Sequence, residues 1–569
     1  MSFLFSLWIL FAAQARAEPP CPRLVFAGEE IGLDKAEKRL VCGDPDSEAW
    51  SKVPAAQARA FLRVILQNRG YHAPTFRADG QVLTVDIGTR TVVTDFLAEG
   101  LPVDVDPGKQ RRFVGEALTP KLLDRAEAAL SAELRQRGYA CPELEARGEP
   151  RSGVIRAHAA PGELARLDRI VDPPIPGIDT RIFRRYEAFR RGQLFDERLL
   201  AVTADRIVRE ALFLSAFFDV DCGTRPAAVV LRAVSAPPQI VRVGVGIDSE
   251  GLARVRAQWQ HSRIGGRASS METTLHGSVR EQSFESFLRL YPGPASRVHL
   301  RPRVYIARID EARFETVGAQ LSVAPALNWD FETLGVQAKA GPAVDDVRTV
   351  RGLGIPRETY LSWETHVSIL SHLYERYLAD PRSGWQTSVA MSSRFAGAYS
   401  EFTAHRLKFS YQALWNVGLY EPPLLVLGSR GLAAATWTLD QERTLALLPP
   451  AYRHYLGGDA DYRGLGRGEL PGEALGYLSA VYHGLELRMG DLLPGRLQPY
   501  VFFDTAMGGG RRFQLSPDLY YAPGMGVRWP SPVGTLRGSV ARGFVRHSDP
   551  ATVPVESRLQ FYFSFGREF

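Results

Sequence analysis

From residue 238 to 569 the chain keeps a period of two. Short alternating segments such as "IVRVGVGID", "SMETTLHGSV", "HLRPRVYIARI" and "TVGAQLSVAPALNWD" are separated by Gly, Pro, Asp and Ser, and helical periodicity is largely absent. Such alternation sends successive side chains to opposite faces, as in β-strands. The last segment, "RLQFYFSFGREF", is the clearest. Leu559, Phe561, Phe563 and Phe565 fall on one face, while Arg558, Gln560, Tyr562 and Ser564 fall on the other. An apolar face toward lipid and a polar face toward a lumen is what a transmembrane barrel strand requires, because lipid offers unpaired backbone groups no partner. A buried strand of a soluble sandwich also permits aromatic alternation.

The other end of the chain weighs on that choice. The first 17 residues, "MSFLFSLWILFAAQARA", hold an apolar run from Phe3 to Ala13 and close on a small-residue pattern before "EPP". The run is too short to span a bilayer and reads as a secretory signal cut after Ala17, although no basic residue precedes it. No later stretch approaches the roughly 20 apolar residues of a membrane helix. An exported chain of this kind fits a membrane barrel whose strands need about 9–11 residues each, and about 20 residues per strand and connection give roughly 16 strands. The final Phe569 favours the outer membrane, where barrels commonly finish on an aromatic residue. The net charge of +6 comes from arginine spread along the chain, which carries no nucleic-acid footprint.

Between Pro22 and about Pro237 a different pattern occurs three times. An amphipathic helix ends and alternating residues follow, a local switch from helix to strand. The first copy has Ala60, Leu62, Val64, Ile65 and Leu66 before Gly70-Tyr71, and the second has Leu123, Ala126, Leu130 and Leu134 before Gly138-Tyr139. In the third, Phe217-Phe218 takes the place of Gly-Tyr. With an opening edge strand the order is strand, helix, helix, strand, strand. This order resembles the polypeptide-transport-associated (POTRA) domain, which implies a periplasmic location and sheet edges able to receive an extended client; a plain spacer is the other reading. The expected organisation is α+β modules at 22–98, 99–163 and 164–237, then an antiparallel barrel at 238–569. Of the four cysteines, Cys21 and Cys42 are the candidate bridge in an oxidising compartment, while Cys141 and Cys222, in separate repeats, read as buried free thiols.

Late in the barrel lies "YLGGDADYRGLGRGELPGEALGYL", residues 455–478, which places Arg463 among glycines and acids. A phosphate cradle would need a following helix and a GK[ST] ending, both missing here. An arginine folded into a narrow lumen favours a bidentate carboxylate, because lone burial of its charge is costly. Asp504 in "LQPYVFFDTAMGGG" is the candidate partner. Neither H-E-x-x-H nor G-x-S-x-G occurs, and His261, His276 and His454 lack ligand spacing, so no enzymatic, metal or cofactor chemistry is expected.

These stretches resemble the superfamily of outer-membrane assembly and secretion barrels that includes BamA, TamA and the two-partner secretion transporters. "YRGL", Tyr462, Arg463, Gly464 and Leu465, is similar to its inward-folded loop motif, and "FFDTA", with Phe502 and Asp504, to its Phe-x-Asp-x-Gly strand motif. Tyr462, Leu465 and Ala506 depart from the usual residues. The ending "GMGVRWPSPVG" resembles the TamA branch. The resemblance implies an Arg463–Asp504 loop-to-wall pair. It also implies a barrel seam with Gly244 and Gly246 on the first strand and Phe561, Phe563, Phe565 and Phe569 at the last. It further implies a factor, embedded in outer-membrane lipid, that passes client outer-membrane or secreted proteins through that seam, with a periplasm-spanning TamB-like partner at the POTRA modules. A two-partner polypeptide transporter is the alternative, but such proteins typically have two modules preceded by a plug helix.

Overall fold

The computed structural model describes residues 23–566, apart from 29–30, 44–54, 81, 225, 377, 379–380, 398, 419–423, 440–445, 471–475, 491–492, 494–496, 512, 532–533 and 548–556. Cys21 and Phe569 lie outside the described residues. The chain forms two compact units, one ending with Leu134 but including Pro142–Gly162, the other made of Arg135–Cys141 and everything from Glu163.

The first unit holds two α/β modules. In the first, β1 (Arg23–Phe26), α1 (Lys35–Cys42), α2 (Ala55–Asn68), β2 (Thr75–Asp79) and β3 (Val82–Asp86) give the sheet order β1-β3-β2, with β1 parallel to β3. Asp34 and Glu37 form a capping box that satisfies the first amides of α1. Leu62, Ile65 and Leu66 of α2 pack on Leu83 and Val85, whereas Val64 faces out. The second module repeats the plan with β4 (Asp95–Glu99), a 3₁₀ turn, α3 (Pro120–Gln136), β5 (Glu143–Glu149) and β6 (Val154–Ala160). Because β4 pairs with β6 along its whole length, the second module begins before Asp95, not at residue 99. The buried face of α3 is Leu122, Ala126, Leu130 and Leu134, one residue off the expected start at Leu123.

The second unit opens with the third module: β7 (Ile170–Val171), a 3₁₀ turn, α4 (Glu197–Arg209), β8 (Phe213–Asp221) and β9 (Ala228–Ser235). All three modules follow the POTRA order. Gly70 and Gly138 stop α2 and α3 in the left-handed region, at φ 92° and 104°, two residues past the helix end. At the same offset α4 has Ala211, φ 56°, followed by Leu212. Ala211-Leu212, not Phe217-Phe218, is therefore the counterpart of Gly-Tyr, and Phe217 lies on β8 with its ring exposed. The cysteine expectation also needs correcting. Cys141 and Cys222 are disulfide-bonded, with Cα atoms 5.9 Å apart. Cys141 follows α3 in sequence, yet residues 135–141 belong to the second unit, where Ala140 packs with Leu167 and Phe195 of the third module. Sequence distance between repeats hid this proximity. Among the described residues no cysteine is free; the expected partner of Cys42 lies outside them.

Sixteen strands follow: β10 (Gln239–Asp248), β11 (Leu252–Ile264), β12 (Ser269–Ser278), β13 (Glu281–Arg289), β14 (Val298–Asp310), β15 (Glu315–Asp330), β16 (Leu334–Arg351), β17 (Arg357–Ser371), β18 (Gly384–Arg394), β19 (Ala404–Val417), β20 (Leu425–Thr438), β21 (Ser479–Met489), β22 (Gln498–Gly509), β23 (Leu519–Ser531), β24 (Gly534–Arg546) and β25 (Ser557–Gly566). A short helix, α5 (His372–Arg376), joins β17 to β18. Each strand pairs antiparallel with the next, and β25 returns to β10 to close the barrel. Alternation sorts the side chains: Val241, Val243, Val245 and Ile247 of β10 and Leu559, Phe561 and Phe563 of β25 point outward, while Tyr562 is buried inside. Among the described residues no helix is long and apolar enough to cross a membrane. Arg206 of α4 fastens the third module to the rim by bonding both Asp330, at 2.7 Å, and Glu375 of α5, at 2.7 Å.

Candidate functional site

The connection between β20 and β21 folds back into the barrel. Its legs pair with each other, Leu456 with Leu470 and His454 with Tyr477 through reciprocal amide–carbonyl bonds of 2.9 Å. Between the legs the tip turns sharply. Gly457 and Gly458 take φ 114° and 110°, and the Asp461 carboxylate accepts the amides of Gly457 and Tyr462. Leu456, Tyr462 and Leu470 then pack on Ala480, Tyr482, Ala506 and Ala522 of the wall. Ala506, where the motif usually has glycine, is thus accommodated in the core.

Arg463 stands at this tip, fully buried. Its Nε and one terminal nitrogen donate to the two oxygens of Asp504 at 2.7 and 2.8 Å, and its backbone amide donates to the same carboxylate at 3.2 Å. The other terminal nitrogen donates to Glu486 at 3.0 Å, and Tyr482 Oη donates to Asp504 at 3.1 Å. The guanidinium also lies over the Phe502 ring, 3.3 Å from its centroid. The Phe-x-Asp spacing explains both contacts, since residues two apart share one face of a strand and β22 presents ring and carboxylate together. Small residues make the room. A Cβ on Gly484 would come within 2.7 Å of the Asp504 carboxylate, and one on Gly524 within 2.2 Å of the Phe502 ring. Gly464 and Gly543 of β24 press backbone to backbone; a Cβ on Gly543 would sit 2.2 Å from the Gly464 carbonyl oxygen. The large Tyr462 is used as well, its hydroxyl donating to the carbonyls of Tyr521 at 3.2 Å and Phe544 at 3.4 Å.

The seam is short. Adjacent strands β10 and β11 share ten residue pairs, as do β24 and β25, but β10 and β25 share two, Ile247 with Phe565 and Asp248 with Ser564. Among the described residues, Gln239–Gly246 of β10 has no strand on its seam side. Gly246 is required by the closing pair, because a Cβ there would stand 2.9 Å from the Phe565 carbonyl oxygen. Phe561 and Phe563 face outward on the other lip. Gly244, paired with Arg256 of β11, lies in the part of β10 that has no seam-side strand among the described residues.

The loop tip touches both lips. Asp459 N–H donates to the Glu250 carboxylate, two residues beyond β10, at 2.8 Å, and the Leu465 carbonyl accepts from Tyr562 Oη of β25 at 2.6 Å. Residues 459–465 therefore straddle the seam while Arg463 ties them to β21 and β22. Sequence reading found Arg463, Asp504 and Phe502 but missed Glu250, Tyr482, Glu486, Gly543 and Tyr562. The glycines opposite inward aromatic rings were the signal available for the wall, whereas nothing in the sequence marks the Glu250 contact.

A sixteen-stranded barrel with an in-folded arginine loop, preceded by three POTRA-fold modules, defines a class of outer-membrane assembly and secretion barrels. Residues 357–569, the C-terminal two-thirds of the barrel, match the Omp85 superfamily domain. The barrel sits in the outer membrane and the modules on the periplasmic side. Among solved structures, BamA from Haemophilus ducreyi lacking POTRA domains 1–3 is similar at 14% identity, over 84% of this chain and 99% of that one, with a TM-score of 0.50. CdiB from Acinetobacter baumannii matches at 12% identity, over 84% and 90%, with a TM-score of 0.47. CdiB from Escherichia coli matches at 14% identity, over 84% and 91%, with a TM-score of 0.44. No curated protein sequence matches the chain significantly.

Proposed function

We propose that this protein is an outer-membrane assembly factor that opens its β10–β25 seam, pairs a client strand with the exposed β10 edge, and releases the client into lipid. The carrying observation is the seam ladder of two pairs beside Gln239–Gly246, which among the described residues has no strand on its seam side. A client strand added there acquires backbone partners before it meets hydrocarbon, avoiding several kcal/mol for each unsatisfied group. Parting the lips requires the loop tip to give up its bond to Glu250 or to Tyr562. The tip is held by Asp504 and packed against Gly543 of β24, so it stays with the β25 side and the Glu250 contact is the one that breaks. In the TamA-like form of this reading, the POTRA modules receive clients and a periplasm-spanning partner.

The test is a cross-seam lock. The register puts Asp248 opposite Ser564. With Asp248→Cys and Ser564→Cys oxidised, insertion of a β-barrel client into proteoliposomes should stop, and reduction should restore it. Full insertion by the locked form contradicts the seam mechanism, and continued export of a soluble polypeptide by that form favours passage through the lumen.

A further inference from the structure

The third module meets the barrel rim beside outward-facing tryptophans. Trp329 near the end of β15, Trp385 at the start of β18, Trp415 near the end of β19 and Trp529 near the end of β23 are all exposed. Antiparallel order puts these four strand ends at one end of the barrel, the end where Arg206 of the third module bonds Asp330. Trp329 shares strand parity with the exposed Leu321 and Val323, so its ring faces out. A girdle of tryptophans around one end of a membrane barrel marks the level of the lipid headgroups.

A cavity of about 320 Å³ lies at that level, where Arg190 and Gln193 of the third module line it together with Trp329 and Phe331 of the rim, both rings exposed. The two carboxylates of its lining are engaged: Glu187 accepts from Arg191 at 2.7 Å, and Asp330 is held by Arg206, Arg297 and His372. Arg190 differs from these neighbours. Its backbone amide donates to Gln193 at 2.9 Å, while its exposed guanidinium has no hydrogen-bond or ion-pair partner among the described residues. A guanidinium with open donors, set beside apolar rings at headgroup depth, matches a phosphate joined to acyl chains, since the planar fork suits phosphate oxygens and the rings suit hydrocarbon. We propose that this cavity binds the headgroup of an anionic phospholipid of the periplasmic leaflet, with Arg190 taking the phosphate and Trp329 and Phe331 lying along the first acyl carbons. The site is on the outer wall at β15, so it does not rest on how clients use the seam.

The experiment is native mass spectrometry of the purified full-length protein in detergent, offered equal amounts of phosphatidylglycerol and phosphatidylcholine with the same acyl chains. The parent should retain phosphatidylglycerol in preference to phosphatidylcholine. Arg190→Gln should lower that preference about five-fold, the size expected of one arginine at an anionic surface. Trp329→Ala should weaken retention of both lipids and leave the preference in place, with folding of each variant verified by the heat-modifiable band. Equal retention of the two lipids by the parent, or parental behaviour in either variant, overturns the inference. Displacement of phosphatidylglycerol by millimolar inorganic phosphate would assign the arginine to a soluble anion and overturns it as well.

Discussion

Arg463 at the loop tip and Arg206 at the third module each sit between two carboxylates, Asp504 and Glu486 for the first, Asp330 and Glu375 for the second. They differ in how much rests on one side chain. Among the described residues Arg463 is the only basic partner of Asp504, and both are fully buried. Asp330 also bonds Arg297 at 2.6 Å and His372 at 3.1 Å, and Glu375 also bonds Arg209 at 2.5 Å. A single buried pair gives a joint that is either made or broken, which suits a loop that must hold a seam. A shared cluster tolerates loss of a member, which suits a fixed mount between module and rim.

The largest effect should follow from breaking the sole pair. Arg463→Ala or Asp504→Ala leaves an uncompensated buried charge and should destabilise the folded barrel by about 3–5 kcal/mol, read by urea unfolding in vesicles. The double variant should be no worse than either single, as expected for residues in contact. Arg206→Ala should cost less, about 1–2 kcal/mol on the same measurement, because other cations remain on both acids. Equal losses at the two arginines would erase the contrast. Salt should sharpen it, because 1 M electrolyte shortens the screening length to about 3 Å. Arg209, 40% exposed, gives screening access to the rim cluster, while the buried tip is shielded, so the Arg206 background should lose more stability in salt than the parent.

The smallest effect concerns pH. Burial pushes the Asp172 carboxyl of the third module up to about 6, against the pull of Arg191, 3.6 Å away. Its unfolded value is about 3.9, so between these values the folded state holds the extra proton. Its contribution is therefore largest at low pH and declines as pH rises from about 4 to 6. Asp172→Asn should flatten that slope in a chemical unfolding series across this range.

Motifs and periods were readable to the extent that they are local. Period-two alternation marked the barrel, because lipid on one side and a lumen on the other impose it residue by residue, and the length at about 20 residues per strand and connection gave roughly sixteen strands. Phe502 and Asp504 were readable because a strand places them on one face. Arg206 was not, since its partners lie 124 and 169 residues away with no motif linking them. Cys141 was misread for a related reason: the chain returns it to the third module after leaving α3. Glu250 is an ordinary turn acid in sequence, and only closure of the barrel brings it to the loop tip. The cross-seam register was equally hidden, because it depends on strand tilt summed around sixteen strands.

The most direct measurement is single-channel conductance of the parent, Arg463→Ala, Asp504→Ala and the double variant in planar bilayers. If the arginine tip holds loop and seam in place, both single variants will show the same enlarged or unstable conductance and the double will add nothing. Parent-like conductance in either single variant, or additive changes in the double, would contradict the account.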